Sequence, residues 1–209
     1  MPEHNLVLKT IVVGQLSANC YVLGHKPSGR AFIVDPGAEA GKIKGYLRDK
    51  RLQAEFVLHT HGHIDHIGAD KELGLPVYIH REDKDCLFDA RANLSGFMGS
   101  PFSLSKTVAN ILEDNQEIEF VGLRLKIIHT PGHSPGGICI LLGNMLFSGD
   151  TLFAAGIGRT DLAGGSRSRL INSIKQRLFC LDEHTVVYPG HGPATTIARE
   201  KRENPYLTL

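Results

Sequence analysis

The segment Thr60-His61-Gly62-His63-Ile64-Asp65-His66 crowds four potential cation ligands into six positions, directly after the apolar run Phe56-Val57-Leu58. The apolar run predicts a buried strand, so the cluster follows where the chain leaves a sheet. In extended chain, residues two apart point to one side, and His61 and His63 can grip one ion together. Asp65 and His66 lie beyond Ile64, where the chain is expected to turn into a helix, and can face a second ion nearby. Gly62 lets the backbone bend tightly between the two histidines. Four polar side chains gathered behind a buried strand carry a desolvation cost, which a bound cation would offset. The fold must therefore bring a strand end to an open, polar rim.

Three further residues follow the same pattern. His133 lies in Thr130-Pro131-Gly132-His133, Asp150 in Phe147-Ser148-Gly149-Asp150, and His191 in Tyr188-Pro189-Gly190-His191. Each follows a glycine, and each has an apolar strand upstream. A histidine or aspartate in such a place is, alone, usually a turn residue or a cap. Together with the first segment the three point to convergence on one cleft. Histidine and aspartate suit zinc, iron or manganese. A closed structural zinc site holds four ligands, often cysteines. Seven candidates without a nearby cysteine favour an open, catalytic centre.

The rest of the chain predicts many short strands with helices between groups of them. Strands are expected at 6–13, 20–23, 31–34, 56–58 and 76–79, the second after a Ser17-Ala18-Asn19 turn. Hairpins are expected at 118–128 and 138–147, and a last strand at 185–188. Helical spacing marks 38–51, 69–73, 82–88, 168–178 and 195–204. The stretch 89–115, rich in Gly, Ser and Asn, is expected to be an inserted loop or flap that shapes specificity. This pattern suits a layered sandwich of strands and helices. The length of 209 residues suits one domain spanning 1–209.

Charge narrows the partners. Lys and Arg number 23 against 22 Asp and Glu, a formal net charge of +1, so a polyanion is not the expected partner. The four cysteines form no CxxC pair, which predicts reduced thiols in a cytoplasmic protein. No leader is expected at the N-terminus, and no apolar run reaches the roughly 18 residues of a membrane span.

The HxHxDH segment with the downstream His133, Asp150 and His191 resembles the metallo-β-lactamase-fold superfamily, within it the glyoxalase II-like branch. The likeness runs from the Asp35-Pro36-Gly37 turn through His191. It implies an α+β fold, a four-layered αββα sandwich with the metals at one edge. His61, His63 and His133 would then hold one metal, Asp65, His66 and His191 a second, and Asp150 would bridge them. The implied cofactors are two divalent ions, zinc first, with iron or manganese as other choices. The implied activity is hydrolysis of a small-molecule thioester such as S-lactoylglutathione by a metal-bridging hydroxide, which Asp65 orients while serving as a ligand. A thiolate leaving group needs no dedicated general acid.

Only 18 residues follow His191. The chain is thus similar to short single-domain relatives, which lack the helical extension that helps full glyoxalase II enzymes bind glutathione. Their loop resembles Gly156-Ile157-Gly158-Arg159-Thr160-Asp161-Leu162, where Arg159 is expected to brace Asp161 rather than bind substrate. His59 and His129 are expected to pack or to orient ligands, and Asp35 to shape its turn while supporting the metal centre. His80 and His184 carry no assigned role. Persulfide dioxygenases of the same superfamily supply the alternative, with one iron on His61, His133 and Asp150. Nucleic-acid hydrolase, β-lactamase and non-enzymatic scaffold rank lower. Oligomeric state is not legible.

Overall fold

The computed structural model describes residues 5–97, 99–104 and 109–207. Positions 1–4, read above for a leader, and positions 98 and 105–108 of the 89–115 segment lie outside them.

Two six-stranded sheets form the frame. The first runs in chain order: β1 (Leu6–Val13), β2 (Ala18–His25), β3 (Arg30–Val34), β4 (Gln53–Leu58), β5 (Val77–His80) and β6 (Ala109–Leu112). It starts as an antiparallel meander and becomes parallel from β3 onward. The second sheet contains β7 (Glu117–Phe120), β8 (Leu123–His129), β9 (Ile138–Leu142), β10 (Met145–Gly149), β13 (Val186–Pro189) and β14 (Thr195–Thr196). Its spatial order is β14-β13-β10-β9-β8-β7, with β10 and β13 parallel. A small ribbon, β11 (Leu152–Phe153) with β12 (Gly156–Ile157), stands between β10 and the rest of the chain.

Strand alternation builds the layers. Tyr21, Leu23, Phe32 and Val34 meet Leu125, Ile127, Ile140 and Phe147 in a core shared by both sheets. Their neighbours Cys20, Val22 and Ile33 point the other way, into a core with Ile43 and Leu47 of α1 (Ala40–Asp49), Ile67 of α2 (Ile64–Ile67) and Leu73 of α3 (Asp70–Leu73). On the second sheet Ile128, Cys139, Leu146 and Val187 pack on Leu170 of α4 (Arg167–Ser173) and Ile197 of α5 (Ile197–Glu203). Three cores separate four layers, the αββα order expected. Phe32 anchors the central core, with Phe120 edge-on at 4.9 Å and Phe56 stacked at 5.4 Å. Truncating Phe32 to Ala would cost about 3–5 kcal/mol.

Several elements differ from expectation. The turn after β1 is 14–17, and Ala18 and Asn19 already belong to β2, buried. The helix expected at 82–88 is present as a 3-10 helix, Arg81–Leu87. The 89–115 segment is not wholly loop: β6 adds a parallel strand to the sheet edge. The helix expected at 168–178 ends at Ser173 and continues as one π turn, and the one expected at 195–204 begins with the strand pair Thr195–Thr196. A strand of two residues such as Thr195–Thr196 carries no periodicity to show in sequence. Among the described residues no helix is long and apolar enough to cross a membrane.

β4, β8, β10 and β13 all end at one rim. The sheets are tied there by the Ile138 N–H donated to the Thr60 carbonyl at 2.8 Å, and by a bridge pairing Ala18 with His191.

Candidate metal centre

The chain leaving β4 brings His61 and His63 to this rim, and the turn after β8 brings His133. The Nδ1 of His63 lies 2.9 Å from the Nε2 of His133, which lies 3.3 Å from the Nε2 of His61. These three nitrogens form one potential ligand set. Asp65 and His66, on α2, meet His191 from the β13 end in a second set. There Asp65 Oδ2 is 3.2 Å from His191 Nε2 and 3.7 Å from His66 Nε2.

Asp150 stands between the sets. Its Oδ1 is 3.6 Å from His66 Nε2, and its Oδ2 is 3.5 Å from His133 Nε2 and 3.8 Å from His191 Nε2. The parallel pairing of β10 with β13 places Asp150 beside Gly190, and only glycine fits at that point. A Cβ at Gly190 would run into Asp150 Oδ1 and come within 2.8 Å of His66 Cε1. Gly149, at φ +48°, has Thr60 in the space a side chain would need.

Charge is balanced in opposite ways across the centre. Burial, then the neighbouring rings of His133 and His66, push His63 down to about 3. Burial and the same crowding hold His61 well below its ordinary value. Both rings therefore keep a lone pair free, the state a metal requires. Burial opposes a charge on His66, but Asp65, Asp150 and Asp35 outweigh it and raise that ring to about 10. Burial also opposes the Asp65 carboxylate, yet His66 and His191 hold it well below the usual range. The hydrogen bond that His191 donates to Asp65 raises the His191 ring against its burial. Without a metal, protons on histidine balance the carboxylates; a cation can replace them.

The donor set passes a structural test for such a cation. His66 Nε2 and Asp150 Oδ1 are buried and have no hydrogen-bond partner among the described residues. Buried polar atoms are seldom left so, and their desolvation is costly. Both belong to groups that surround the cleft, where a divalent ion satisfies nitrogen and oxygen together.

Other residues aim the ring nitrogens. Asp35 accepts from the Thr60 N–H at 2.8 Å, the Thr60 hydroxyl at 2.5 Å and His66 Nδ1 at 3.0 Å. Burial disfavours its charge, but His66 and His59 prevail and hold it at about 2. His133 Nδ1 donates to the Arg159 carbonyl at 2.8 Å, and His191 Nδ1 to the Leu16 carbonyl at 3.0 Å. His59 is buried against Asp70 at 2.8 Å, and His129 donates to the Pro135 carbonyl at 2.9 Å and stacks on His80. Arg159 forks onto Asp161 with two contacts of 2.8 Å, the expected brace.

Two participants were missed in sequence. Asp83, buried in the 3-10 helix, accepts from Gly62 N–H at 3.0 Å, Ser134 hydroxyl at 2.7 Å and Gly136 N–H at 2.6 Å. It thereby clasps the loop of His61 and His63 to that of His133. Its setting, Glu82-Asp83-Lys84-Asp85, reads as a solvated face. Asn19 donates its side-chain amide to the Pro189 and Gly192 carbonyls, both at 2.9 Å, and so fixes the turn of His191. Nothing in Ser17-Ala18-Asn19 distinguishes it from an ordinary turn.

A two-sheet sandwich with His and Asp ligand sets at one rim defines a protein of the metallo-hydrolase class. The chain belongs to the metallo-beta-lactamase superfamily, whose family model matches residues 13–191. It is 34% identical to hydroxyacylglutathione hydrolase GloC of Haemophilus influenzae, over 96% of this chain and 97% of that one. Among solved structures it is similar to the BLEG-1 B3 metallo-beta-lactamase, with a TM-score of 0.92, 37% identity and coverage of 97% and 100% of the two chains. It is also similar to TTHA1623 in a di-iron-bound form, with a TM-score of 0.83, 34% identity and coverage of 95% and 100%.

Proposed function

We propose that this metallo-hydrolase cleaves small-molecule thioesters at a centre for two divalent ions, zinc first. One ion would be held by His61, His63 and His133, the other by Asp65, His66 and His191, with Asp150 shared. The observation that carries this reading is the position of Asp150, within 3.8 Å of nitrogens from both sets. Ions bound there would lower the pKa of water toward neutrality and polarise a carbonyl.

The chain's own residues limit the leaving group. Among the described residues that line the cleft, the ionisable groups are members of the two ligand sets, Asp150, or the Arg159–Asp161 pair. None is left over as a proton donor. A thiolate can depart without one, since a thiol has a pKa of about 8.5, whereas an amide nitrogen must be protonated. Asp65, held by His191 and kept ionised, is placed to accept a proton from attacking water. The GloC likeness fits a thioester, and the di-iron likeness fits a paired centre. All four cysteines are free thiols, which fits the reducing cytoplasm.

The test is elemental analysis of the purified protein together with assays of S-lactoylglutathione cleavage and of oxygen uptake with glutathione persulfide. About two metals per chain with thioester cleavage is the expected result. One iron per chain with oxygen uptake and no cleavage overturns it.

A further inference from the structure

The ligand sets open into a cavity of about 800 Å³, and away from the ligands and the Arg159–Asp161 pair its walls are apolar. Three loops build them, each anchored to the centre by a backbone carbonyl. Leu16 lies on the loop whose carbonyl holds His191. Leu94 and Phe97 follow Asn93, whose carbonyl accepts the Ile64 N–H at 2.9 Å. Leu162 lies on the loop whose Arg159 carbonyl holds His133. Phe153 of β11 completes the lining.

Two of these side chains face water at a cost. Phe97 is 80% exposed and Leu16 52% exposed, although both lie at the mouth of a cavity with apolar walls. Exposed apolar surface beside a polar centre marks a place where a ligand docks. The Phe97 loop is held in place: the buried Asn93 amide donates to the Cys86 carbonyl at 2.8 Å and the Phe102 carbonyl at 3.0 Å. Leu94 adopts φ +70°, a region unfavourable to a leucine. Among the described lining residues, Arg159 is the one permanent cation, and Asp161 occupies its guanidinium fork. The described wall thus offers apolar contact and no uncommitted cation for a carboxylate.

Resting on the thioesterase reading, we propose that the preferred substrate carries an apolar acyl group, aryl or medium-chain alkyl, seated against Phe97, Leu16 and Phe153. In the reaction the oxygen of water bonds to the acyl carbon and the carbon–sulfur bond breaks. Sulfur leaves with the electron pair as thiolate. The acyl group departs as carboxylate, and the two protons of water pass to the thiolate and to solvent.

The experiment uses metal-loaded full-length protein and thioesters of one neutral thiol, N-acetylcysteamine, bearing phenylacetyl, hexanoyl or lactoyl groups. The apolar esters are expected to exceed the lactoyl ester in kcat/KM by about tenfold or more. Phe97→Ala and Leu16→Ala should each shrink that ratio. A lactoyl ester cleaved as well as or better than the others, or a ratio unmoved by both variants, overturns the inference and leaves the thioesterase reading standing. Calorimetry with the ketone analogue of the phenylacetyl ester, CH2 replacing sulfur, separates the two claims. Binding that weakens about tenfold in Phe97→Ala, with no ester cleaved, supports the apolar acyl site and sinks the thioesterase reading. No cleavage and no Phe97-dependent binding overturns both.

Discussion

Asp35 accepts the Nδ1 proton of His66 across 3.0 Å from a backbone held at φ +50°, and so aims the other ring nitrogen of His66 at the cleft. Asparagine tolerates that left-handed backbone, so Asp35→Asn should keep the fold. Its amide nitrogen cannot accept a proton, and one of the groups now served by Asp35 loses its partner. Affinity for the second ion should fall about 10–100-fold. Titration of the metal-free variant with Co(II), followed by its absorption, gives the check; two unchanged binding steps would refute the assignment.

Asp83 should show the complementary effect. Among the described residues its carboxylate accepts hydrogen bonds from the loops of His61, His63 and His133. Asp83→Asn leaves at least one buried N–H or hydroxyl facing an amide NH2. The first ion should then bind about 10–100-fold more weakly, with the second less affected. Equal losses at both steps in the same Co(II) titration would show that Asp83 supports the fold in general.

Gly190→Ala tests the close approach of the β10 and β13 ends. The added methyl would overlap Asp150 Oδ1 and crowd His66. Overpacking of this kind costs about 1–3 kcal/mol, and Asp150 must swing away from one ligand set. Chemical denaturation should show that loss, and elemental analysis fewer than two metals per chain. Full metal content with wild-type stability would contradict the geometry.

Tyr21 links pH to stability through the same turn. Its buried hydroxyl donates to the Pro189 carbonyl at 2.6 Å, and burial pushes the phenol above its ordinary range. The unfolded chain ionises this group near pH 10, while the folded chain keeps it neutral. Its contribution is therefore whole below about pH 10 and declines above it, by up to about 1.4 kcal/mol per pH unit. Tyr21→Phe should lose about 1 kcal/mol at pH 7 and decline less steeply than wild type above pH 10. Parallel urea-denaturation curves for the two proteins at pH 10 and 11 would rule this out.

All seven residues read as candidate ligands reach one rim, and the reason is local. A metal centre of this kind needs His or Asp side chains, and each sits just past an apolar strand, a pattern visible within a few positions. Glycines before His133, Asp150 and His191 mark the sharp turns. Strand β1 and α1 were legible because eight or more residues carry a clear period, whereas β2 was legible only in its middle, 20–23. Strand β6 and the two-residue strands were not, because a partner rather than a pattern makes them strands.

Residue order alone pointed to the His and Asp side chains that are candidates for the centre, to the strand ends that carry them and to the layered class of the fold. How those side chains gather into two sets around Asp150, and which neighbours aim them, follows from the packing of the two sheets. Asp83 and Asn19 act on loops 51 and 170 positions away, through pairs of hydrogen bonds. Hydrogen bonds of that reach impose no periodicity on the chain, so they exist only once both sheets have packed.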